Sequence, residues 1–317
     1  MTLETAHCFA ADLGGTKLAA AMADGRGRIL AELTEPTDRR GGAYVAEQIA
    51  VCAGKLAQAV GIEATRVRHV MVGVPGAIDP RDGRVSLTPN IAGLQEFDVL
   101  GYLRGRFGPD VLIENDVNLA MLGEQALGCA SLCRNAAFLA LGTGTGLGLL
   151  IDGKLFRGAR GSAGEIADLP IGLDPTAEAP APSGAFELEV GSLAIVDRYR
   201  RQGGTAAVTV RDIFRLLAEG DPVAAAVLDT TARWVALSIA TLQSLLDLEL
   251  IVLGGSIGVR PELYERVRLA LPALFPRPIN IAPSRLGDRA GLIGAVCAAA
   301  QALRQGREPA QRTLQLS

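Results

Sequence analysis

The sequence predicts a duplicated α/β protein, and three observations support that fold class. The 317 residues are 49% hydrophobic and 21% charged, which is enough apolar material for two domains of ordinary size. Strand-like apolar runs alternate with helical stretches along most of the chain. A strand pair interrupted by glycine occurs twice, 128 residues apart, so that Gly14 aligns with Gly142 and the Asp-Gly turn at 24–25 aligns with the one at 152–153. Such self-similarity indicates two copies of one structural unit.

The first copy begins with strands over residues 8–34, which surround a Gly-Gly turn. A helix is predicted at 43–60, and the strand in RHVMVGVPGAID leads into a Pro-Gly loop. In DVLIENDVNLAMLGEQALG a strand turns directly into a helix, with Asn115 and Asp116 at the junction. Because Asn and Asp are natural N-caps, capping is one role to expect of these side chains.

The second copy opens with the strand pair AAFLALGTGTGLGLLIDGKLFRG at 136–158. The elements predicted after it are a long helix, a strand with a Gly turn, a helix, a strand and a final helix, at about 222–246, 248–258, 261–274, 279–283 and 289–304. We therefore expect a small lobe from 1–114 plus 290–304, a large lobe from 115–289, and a polar, frayed tail at 305–317.

Composition and charge argue against several classes of function. The net charge is −3, which is unfavourable for non-specific nucleic-acid binding. The N-terminal MTLETAH lacks the basic and apolar regions of a secretion signal, and the apolar stretch at 234–246 is too short for a membrane span. Five scattered cysteines predict reduced thiols, and two histidines argue against His-based catalysis. We expect a cytoplasmic protein without nucleic-acid or membrane partners.

Three Gly-rich turns stand at the ends of predicted strands: DLGGTK at 12–17, GTGTG at 142–146 and LGGS at 253–256. Glycine lets a backbone approach a phosphate and point its N–H groups at it. Thr16, Thr143 and Thr145 add hydroxyl donors, and Asp12 can hold Mg²⁺ through water. Neither the P-loop nor the dinucleotide fingerprint is present. The three turns in a duplicated chain fit a nucleotide held between two lobes.

If the nucleotide donates a phosphoryl group, a further set of polar side chains indicates what accepts it. Asp116 follows an apolar strand, where α/β folds place their ligands, and phosphoryl transfer to an alcohol needs a carboxylate to take the proton. A sugar ring needs several further hydrogen-bond partners, which Asn90, Asn115, Glu165 and Glu187 can supply. Two simpler explanations stay open: Asn90 is also a natural turn residue after proline, and Glu187 a charge on a helix surface.

Six segments, taken together, resemble the ROK family (repressors, open reading frames, kinases) of the actin–hexokinase-like ATPases. They occur in family order from Phe9 to about Ala300: ADLGGTKLAAAMAD, VGVPGAID, TPNIAG, ENDVNLAMLGE, GTGTGLGLLIDGKLFRGARGSAGEI and IVLGGSIG. The resemblance implies a two-lobed, actin-like (ribonuclease H-like) α/β fold, with a five-stranded mixed sheet in each lobe and a cleft that closes on sugar and ATP. It also implies Mg²⁺ as a cofactor and a homodimer.

The resemblance assigns roles to individual residues. Asp116 matches the general base, acting on O6 in glucokinase-like members. Residues that match sugar contacts are Gly76, Asn90, Asn115, Glu165 and Glu187. Residues that match nucleotide contacts are Asp12, Gly14, Gly15, Thr16 and Lys17 in the first loop, Gly142, Thr143 and Gly144 in the second, and Gly254 and Gly255 in the adenosine loop.

One motif departs from the family pattern. Zinc-containing members have a G-E-x-x-H motif and a Cys-rich loop, but here the His position is Asp168 and the loop before Glu187 has neither Cys nor His. No structural zinc is therefore expected. Asp168 either binds sugar with an altered preference or supports the loop, and buried carboxylates need partners in both cases.

The leading hypothesis is an ATP-dependent, glucokinase-like hexose kinase. A sugar-responsive transcriptional regulator is the second, but such members carry a helix-turn-helix domain before the first phosphate motif, which here begins at Phe9. A non-catalytic sugar-binding relative is the third, and the retained Asp116 and Gly turns argue against it. N-acetylmannosamine, N-acetylglucosamine, fructose or allose stay open as substrates, and polyphosphate as donor.

Overall fold

A computed structural model of the chain describes residues 6–63, 67–88, 91–173, 184–207 and 209–305. Asn90, predicted to contact sugar, and the polar tail beyond Gln305 lie outside the described residues. Two compact units divide the chain: Met1–Ser131 with Gly153–Ala163 and Arg289–Ser317, and Leu132–Asp152 with Gly164–Asp288.

The first unit contains a five-stranded mixed sheet in the order β3-β2-β1-β4-β7. Its strands are β1 (His7–Leu13), β2 (Lys17–Asp24), β3 (Ile29–Pro36), β4 (Val67–Val74) and β7 (Val111–Asn115). The first three are antiparallel, whereas β4 and β7 run parallel to β1. A two-stranded hairpin of β5 (Ala77–Ile78) and β6 (Val85–Ser86) follows β4. The strands at the centre are nearly continuous apolar runs because both of their faces are covered.

Among the described residues, the α-helices of the first unit are α1 (Gly42–Ala59), α2 (Val99–Phe107), α3 (Asp116–Leu127) and α10 (Ala290–Gln305). The apolar faces of α1 and α2 bury Ile49 and Leu103 in one core with Phe9 and Val72 of the sheet. Each side chain in such a core removes apolar surface from water, which stabilises the unit by about 1.5–3 kcal/mol per large residue.

The helices α3 and α10 approach each other at backbone distance. A Cβ on Gly294 would lie 1.8 Å from the carbonyl oxygen of Leu119, and one on Gly123 would lie 2.3 Å from that of Ala290. The two glycines therefore let the helices pack with no side chain between them. This contact packs α3 against α10 within the first compact unit.

The second sheet repeats the topology of the first, in the order β10-β9-β8-β11-β12. Its strands are β8 (Ala136–Leu141), β9 (Thr145–Ile151), β10 (Lys154–Leu155), β11 (Leu250–Gly254) and β12 (Ile281–Pro283). Strands β8 and β9 form an antiparallel hairpin, and β11 and β12 continue parallel to β8. The predicted duplication and the α/β class are confirmed.

The helices of the second unit are α4 (Glu187–Val190), α5 (Ser192–Arg201), α6 (Val210–Ala218), α7 (Pro222–Leu246), α8 (Gly255–Gly258) and α9 (Pro261–Ala270). The predicted helix at 261–274 ends at Ala270, because Pro272 converts the continuation into a 3₁₀ turn. By length and composition α7 alone, among the described residues, suffices to cross a membrane, but 56% of its most apolar stretch is buried. Its inner face packs against α5, α6 and α9 in the core of this unit.

Candidate active site

The first Gly-rich turn closes the hairpin between β1 and β2. The N–H of Gly14 donates to the carbonyl of Lys17 at 2.9 Å, and the hydroxyl of Thr37 donates to the carbonyl of Gly14 at 2.7 Å. Gly15 and Thr16 form the exposed tip. The turn is thus fixed at its base and open at its tip, as the predicted phosphate loop requires.

Asp12 precedes this turn and lies against glycine on two sides. A Cβ on Gly73 would lie 3.2 Å from its Oδ1, and a Cβ on Gly291 would lie 2.4 Å from its Oδ2. Burial raises the pKa of Asp12 to about 6, and the charge of Lys17 partly offsets that rise. Part of the residue surface still reaches solvent. A cation beside the carboxylate would stabilise the charged form.

The donor set at Asp12 fits hydrated Mg²⁺. Among the described residues no cluster of three or more His, Cys, Asp or Glu side chains can hold a metal ion by itself. Mg²⁺ does not need one, since it keeps several waters and binds through one or two carboxylates plus substrate phosphates. Asp12 would be the residue that holds it.

The junction between β7 and α3 carries the predicted base. Asn115 is the N-cap of α3: its Oδ1 accepts the N–H of Asn118 at 2.9 Å, and its Nδ2 donates to the carbonyl of Gly76 at 3.0 Å. Asp116 is the first residue of the helix, half-buried, with its Oδ1 accepting the N–H of Val117 at 2.9 Å. The positive end of a helix stabilises a carboxylate there. The expected capping role therefore belongs to Asn115.

Gly76 is needed for this arrangement. Its φ is 95°, and a Cβ would lie 2.2 Å from the carbonyl oxygen of Ser86. Only glycine tolerates that backbone and that approach. The structure therefore brings together Gly76, Asn115 and Asp116, three of the residues predicted to contact the acceptor sugar.

The second Gly-rich turn closes the hairpin between β8 and β9. The N–H of Gly142 donates to the carbonyl of Gly144 at 3.0 Å. Glu187 accepts hydrogen bonds through Oε2 from the backbone N–H of Thr145 at 2.7 Å and from its hydroxyl at 3.4 Å. A residue predicted to bind sugar is therefore bonded to the end of a predicted phosphate loop. Thr143 at the tip of the loop is exposed.

The third Gly-rich turn follows β11 next to the second. A Cβ on Gly142 would lie 3.5 Å from the hydroxyl oxygen of Ser256. Gly254 packs its Cα against the ring of Phe138, where a Cβ would lie 2.0 Å away, and Gly255 has a φ of 75°. The two predicted nucleotide loops of this unit therefore lie side by side, as parallel neighbouring strands dictate.

Glu165 is the N-cap and Asp168 the last residue of a 3₁₀ turn, Ile166–Asp168, whose first residue Ile166 is buried. Burial raises the pKa of Glu165, and the charge of Asp168 raises it further. The Oδ1 of Asp168 accepts the backbone N–H of Gly184 at 2.7 Å. Of the two roles left open for Asp168, this hydrogen bond supports the loop-supporting one.

Sequence reasoning missed three buried polar residues beside the predicted base: Glu114, Asn118 and Arg157. Glu114 ends an apolar strand, which was a visible signal, since a carboxylate in a buried strand needs a partner. The partner could not be identified, because Arg157 lies 43 residues away in the sequence.

The protein is a duplicated α/β protein with two sheets of equal topology. Its Gly-rich turns lie at equivalent hairpins, and a polar cluster lies at a strand–helix junction. These features are typical of the nucleotide-dependent phosphotransferases. The chain belongs to the ROK family, whose model matches residues 8–302. The predicted family resemblance is thereby confirmed.

Two relatives show the range of sugars within the family. Glucokinase of Streptomyces coelicolor is 30% identical over 311 residues, which cover 90% of this chain and 94% of the relative. N-acetylmannosamine kinase of Yersinia pseudotuberculosis is 30% identical over 297 residues, which cover 90% of this chain and 96% of the relative.

Two solved structures are similar over nearly the whole chain. ROK hexokinase from Thermus thermophilus has a TM-score of 0.79 at 32% identity and covers 95% of this chain and 100% of its own. A ROK family glucokinase from Streptomyces griseus, in complex with glucose and AMPPNP, has a TM-score of 0.77 at 27% identity and covers 93% and 99%. The prediction of a sugar kinase is confirmed at the level of the class.

Proposed function

We propose that this enzyme transfers the γ-phosphoryl group of ATP to a hexose hydroxyl, O6 in glucokinase-like fashion, with Asp116 as the general base. The observation that carries the proposal is the position of Asp116 at the first turn of α3, beside Asn115 and Gly76. Carboxylates with this placement are suited to take a proton from an alcohol.

The reaction balances with the residues present. Asp116 takes the proton of the sugar hydroxyl, the oxygen attacks the γ-phosphorus, and the bond to the leaving ADP oxygen breaks. Backbone N–H groups of the first and second Gly-rich turns bind phosphate oxygens, and Gly254 and Gly255 border the adenosine. Mg²⁺ held by Asp12 through water would neutralise charge on the phosphates.

The sugar is proposed to contact Gly76, Asn90, Asn115, Glu165 and Glu187, with Asp168 supporting the loop that follows it. Glucose is the first substrate to test, because the glucokinases are relatives along the whole chain. N-acetylmannosamine is the second, because a kinase for that sugar is equally similar.

The decisive experiment measures ADP release over a panel of hexoses and N-acetylhexosamines, with Asp116→Asn as the test variant. We expect turnover with one of these sugars and a loss of at least about 10³-fold in the variant, while sugar binding largely survives. Asp197→Asn, which changes an exposed residue paired to Arg201, is the matched control and should remain active. If the wild-type protein binds ATP tightly but turns over no sugar, the proposed kinase activity is refuted.

Three further properties belong to the same proposal and rest on the family resemblance: a homodimer, a cytoplasmic location where ATP is available, and the lack of structural zinc. Light scattering during gel filtration tests the dimer. Equilibrium dialysis tests the zinc, since tight stoichiometric binding would contradict the proposal.

A further inference from the structure

Glu114, immediately before the base-bearing junction, has hydrogen-bond partners on both carboxylate oxygens. Its Oε1 accepts the backbone N–H of Asn115 at 3.0 Å and the Nδ2 of Asn118 at 2.9 Å. Its Oε2 accepts the Nε of Arg157 at 2.7 Å and lies 2.5 Å from Nη2 of the same side chain. Glu114 is 5% exposed and the side chain of Arg157 is 16% exposed, so the ion pair is buried.

Arg157 lies on a segment that is itself held against the first unit. Its carbonyl accepts the N–H of Ala163 at 3.0 Å, which closes the segment into a loop. Gly161 within the loop has a φ of 76°, and a Cβ there would lie 1.9 Å from the carbonyl oxygen of Ile78. The guanidinium therefore reaches Glu114 from a backbone that packs directly on the β5–β6 hairpin.

The hydrogen bonds form one chain through the junction. Arg157 holds Glu114, Glu114 holds Asn115 and Asn118, and Asn115 holds the carbonyl of Gly76. Asp116 stands between the two asparagines, so its backbone is fixed from both sides. The contacts end at the turn that carries the base.

Stability does not explain such a pair. Desolvating two charges costs about as much as their attraction returns, and well-packed apolar residues often replace a buried pair without loss. In addition, Nη1 of Arg157 is buried and has no hydrogen-bond partner within the described residues. The pair is better explained by the geometry that it fixes, since the productive position of a base is lost with displacements of about 1 Å.

We propose that Arg157 and Glu114 are positioning residues, which form a buried clamp on the start of α3 and hold the Asp116 carboxylate in place for proton abstraction. Neither touches the substrate. The proposal rests on the proposed role of Asp116 as the base.

The test compares Arg157→Met, Glu114→Gln and the double variant with the control Arg266→Met. Arg266 is also partly buried, with 26% of its side chain exposed, and pairs with Asp229 between α7 and α9. For Arg157→Met we expect kcat to fall about 10- to 100-fold, while the KM for ATP stays within about twofold and the control keeps its kcat.

The double variant separates positioning from folding. Removing both charges leaves no unpaired buried ion, so resistance to urea should recover relative to Glu114→Gln alone. The kcat should stay low, because the clamp is still absent. If kcat recovers together with stability, or if Arg157→Met loses no more activity than Arg266→Met at equal folded fraction, the clamp proposal is wrong.

Hydrogen exchange tests the clamp without any turnover. Amides of Asn115 to Asn118 should exchange at least about tenfold faster in Arg157→Met than in the wild-type protein, and be unchanged in Arg266→Met. If exchange is faster in Arg157→Met but the wild-type protein phosphorylates no sugar, the proposed function is refuted and the clamp is not. Unchanged exchange would refute the clamp, whatever the activity.

Discussion

The carboxylate of Glu187 accepts the backbone N–H of Thr145 at 2.7 Å, and this bond joins a residue proposed to bind sugar to a loop proposed to bind phosphate. The next helix, α5, adds a contact to the same loop, since the N–H of its first residue, Ser192, donates to the carbonyl of Gly142 at 3.1 Å. A change in the hydrogen bonding of Glu187 therefore alters the loop from Gly142 to Thr145. Sugar and nucleotide affinity are expected to depend on each other through this side chain.

Replacing Glu187 by Gln should consequently weaken the binding of both ATP and sugar. The amide oxygen still accepts the N–H of Thr145, but the charge-assisted part of the bond is lost, about 1–2 kcal/mol. We expect the KM for ATP and the KM for sugar each to rise about 5- to 20-fold, measured by steady-state kinetics at saturating co-substrate. Glu219→Gln, on an exposed ion pair of α6, should change neither. A rise confined to the sugar would show that the loop contact is dispensable.

The pKa of Asp12 predicts an unusual pH dependence of stability without ligands. Its folded pKa of about 6 lies above the ordinary aspartate value of 3.8, so the folded state binds more protons than the unfolded state between those pH values. The free energy of unfolding therefore falls as pH rises from about 4 to about 6, and stays lower above that by up to about 3 kcal/mol.

Asp12→Asn removes that loss, so the variant should be more stable than the wild type at pH 7.5 and similar at pH 4, while losing activity. Urea unfolding at both pH values measures this. Asp197→Asn is the control for the substitution. A variant less stable at pH 7.5 would show that other interactions of Asp12 outweigh the burial of its charge.

Substitutions of the two glycines of α10, Gly291 and Gly294, should affect stability and activity to different degrees. Gly294→Ala places a Cβ 1.8 Å from the backbone oxygen of Leu119, so α3 and α10 must move apart at a cost of roughly 1–3 kcal/mol or more. Gly291→Ala places one 2.4 Å from Oδ2 of Asp12, which displaces that carboxylate. We expect the second variant to lose more activity than stability.

The control for both is Gly54→Ala, in the middle of α1, where an added Cβ meets nothing within 4 Å. It should stabilise the protein by up to about 1 kcal/mol. Thermal unfolding and ADP release together check the three variants. Equal stability losses for Gly291→Ala and Gly294→Ala, with equal residual activity, would contradict the separation.

The strands and Gly-rich turns were predictable because their signals are local. Apolar runs broken by glycine predict both hairpins, and the repeat of 128 residues predicts the duplication that the two sheets of equal topology show. No bounds were predicted for helices α4 to α6, although one explanation of Glu187 already put that residue on a helix surface. The assignment of α3 to the first unit depends on Gly123 meeting α10, more than 160 residues later, and no local pattern carries that information.

The candidate site shows the same division between local and distant signals. That one of Asn115 and Asp116 caps the helix followed from their place between strand and helix, and the structure gives the cap to Asn115. The partners of Glu187 and Glu114 did not follow, because Thr145 and Arg157 lie 42 and 43 residues away. Apolar neighbours in the sequence indicate that a carboxylate is buried and needs a hydrogen-bond donor. Which donor contacts it depends on the tertiary structure.

Asp168 should control the protonation of Glu165. Because the charge of Asp168 adds to burial in raising the pKa of Glu165, Asp168→Asn should lower that pKa while its Oδ1 still accepts the N–H of Gly184. Sugar hydroxyls need the ionised carboxylate, whose contribution is lost as pH falls through the pKa of Glu165. The acid limb of kcat/KM for sugar should therefore move to lower pH in Asp168→Asn.

Asp168→Ala removes the charge and the loop contact together, so its acid limb should shift equally while the KM for sugar rises at every pH. The profile for kcat/KM of ATP should not move in either variant, because Glu165 is proposed to contact the sugar and not the nucleotide. If Asp168→Asn leaves the acid limb unchanged but lowers sugar affinity at all pH values, Asp168 contacts the sugar itself, and the loop-supporting role does not account for its presence at this position.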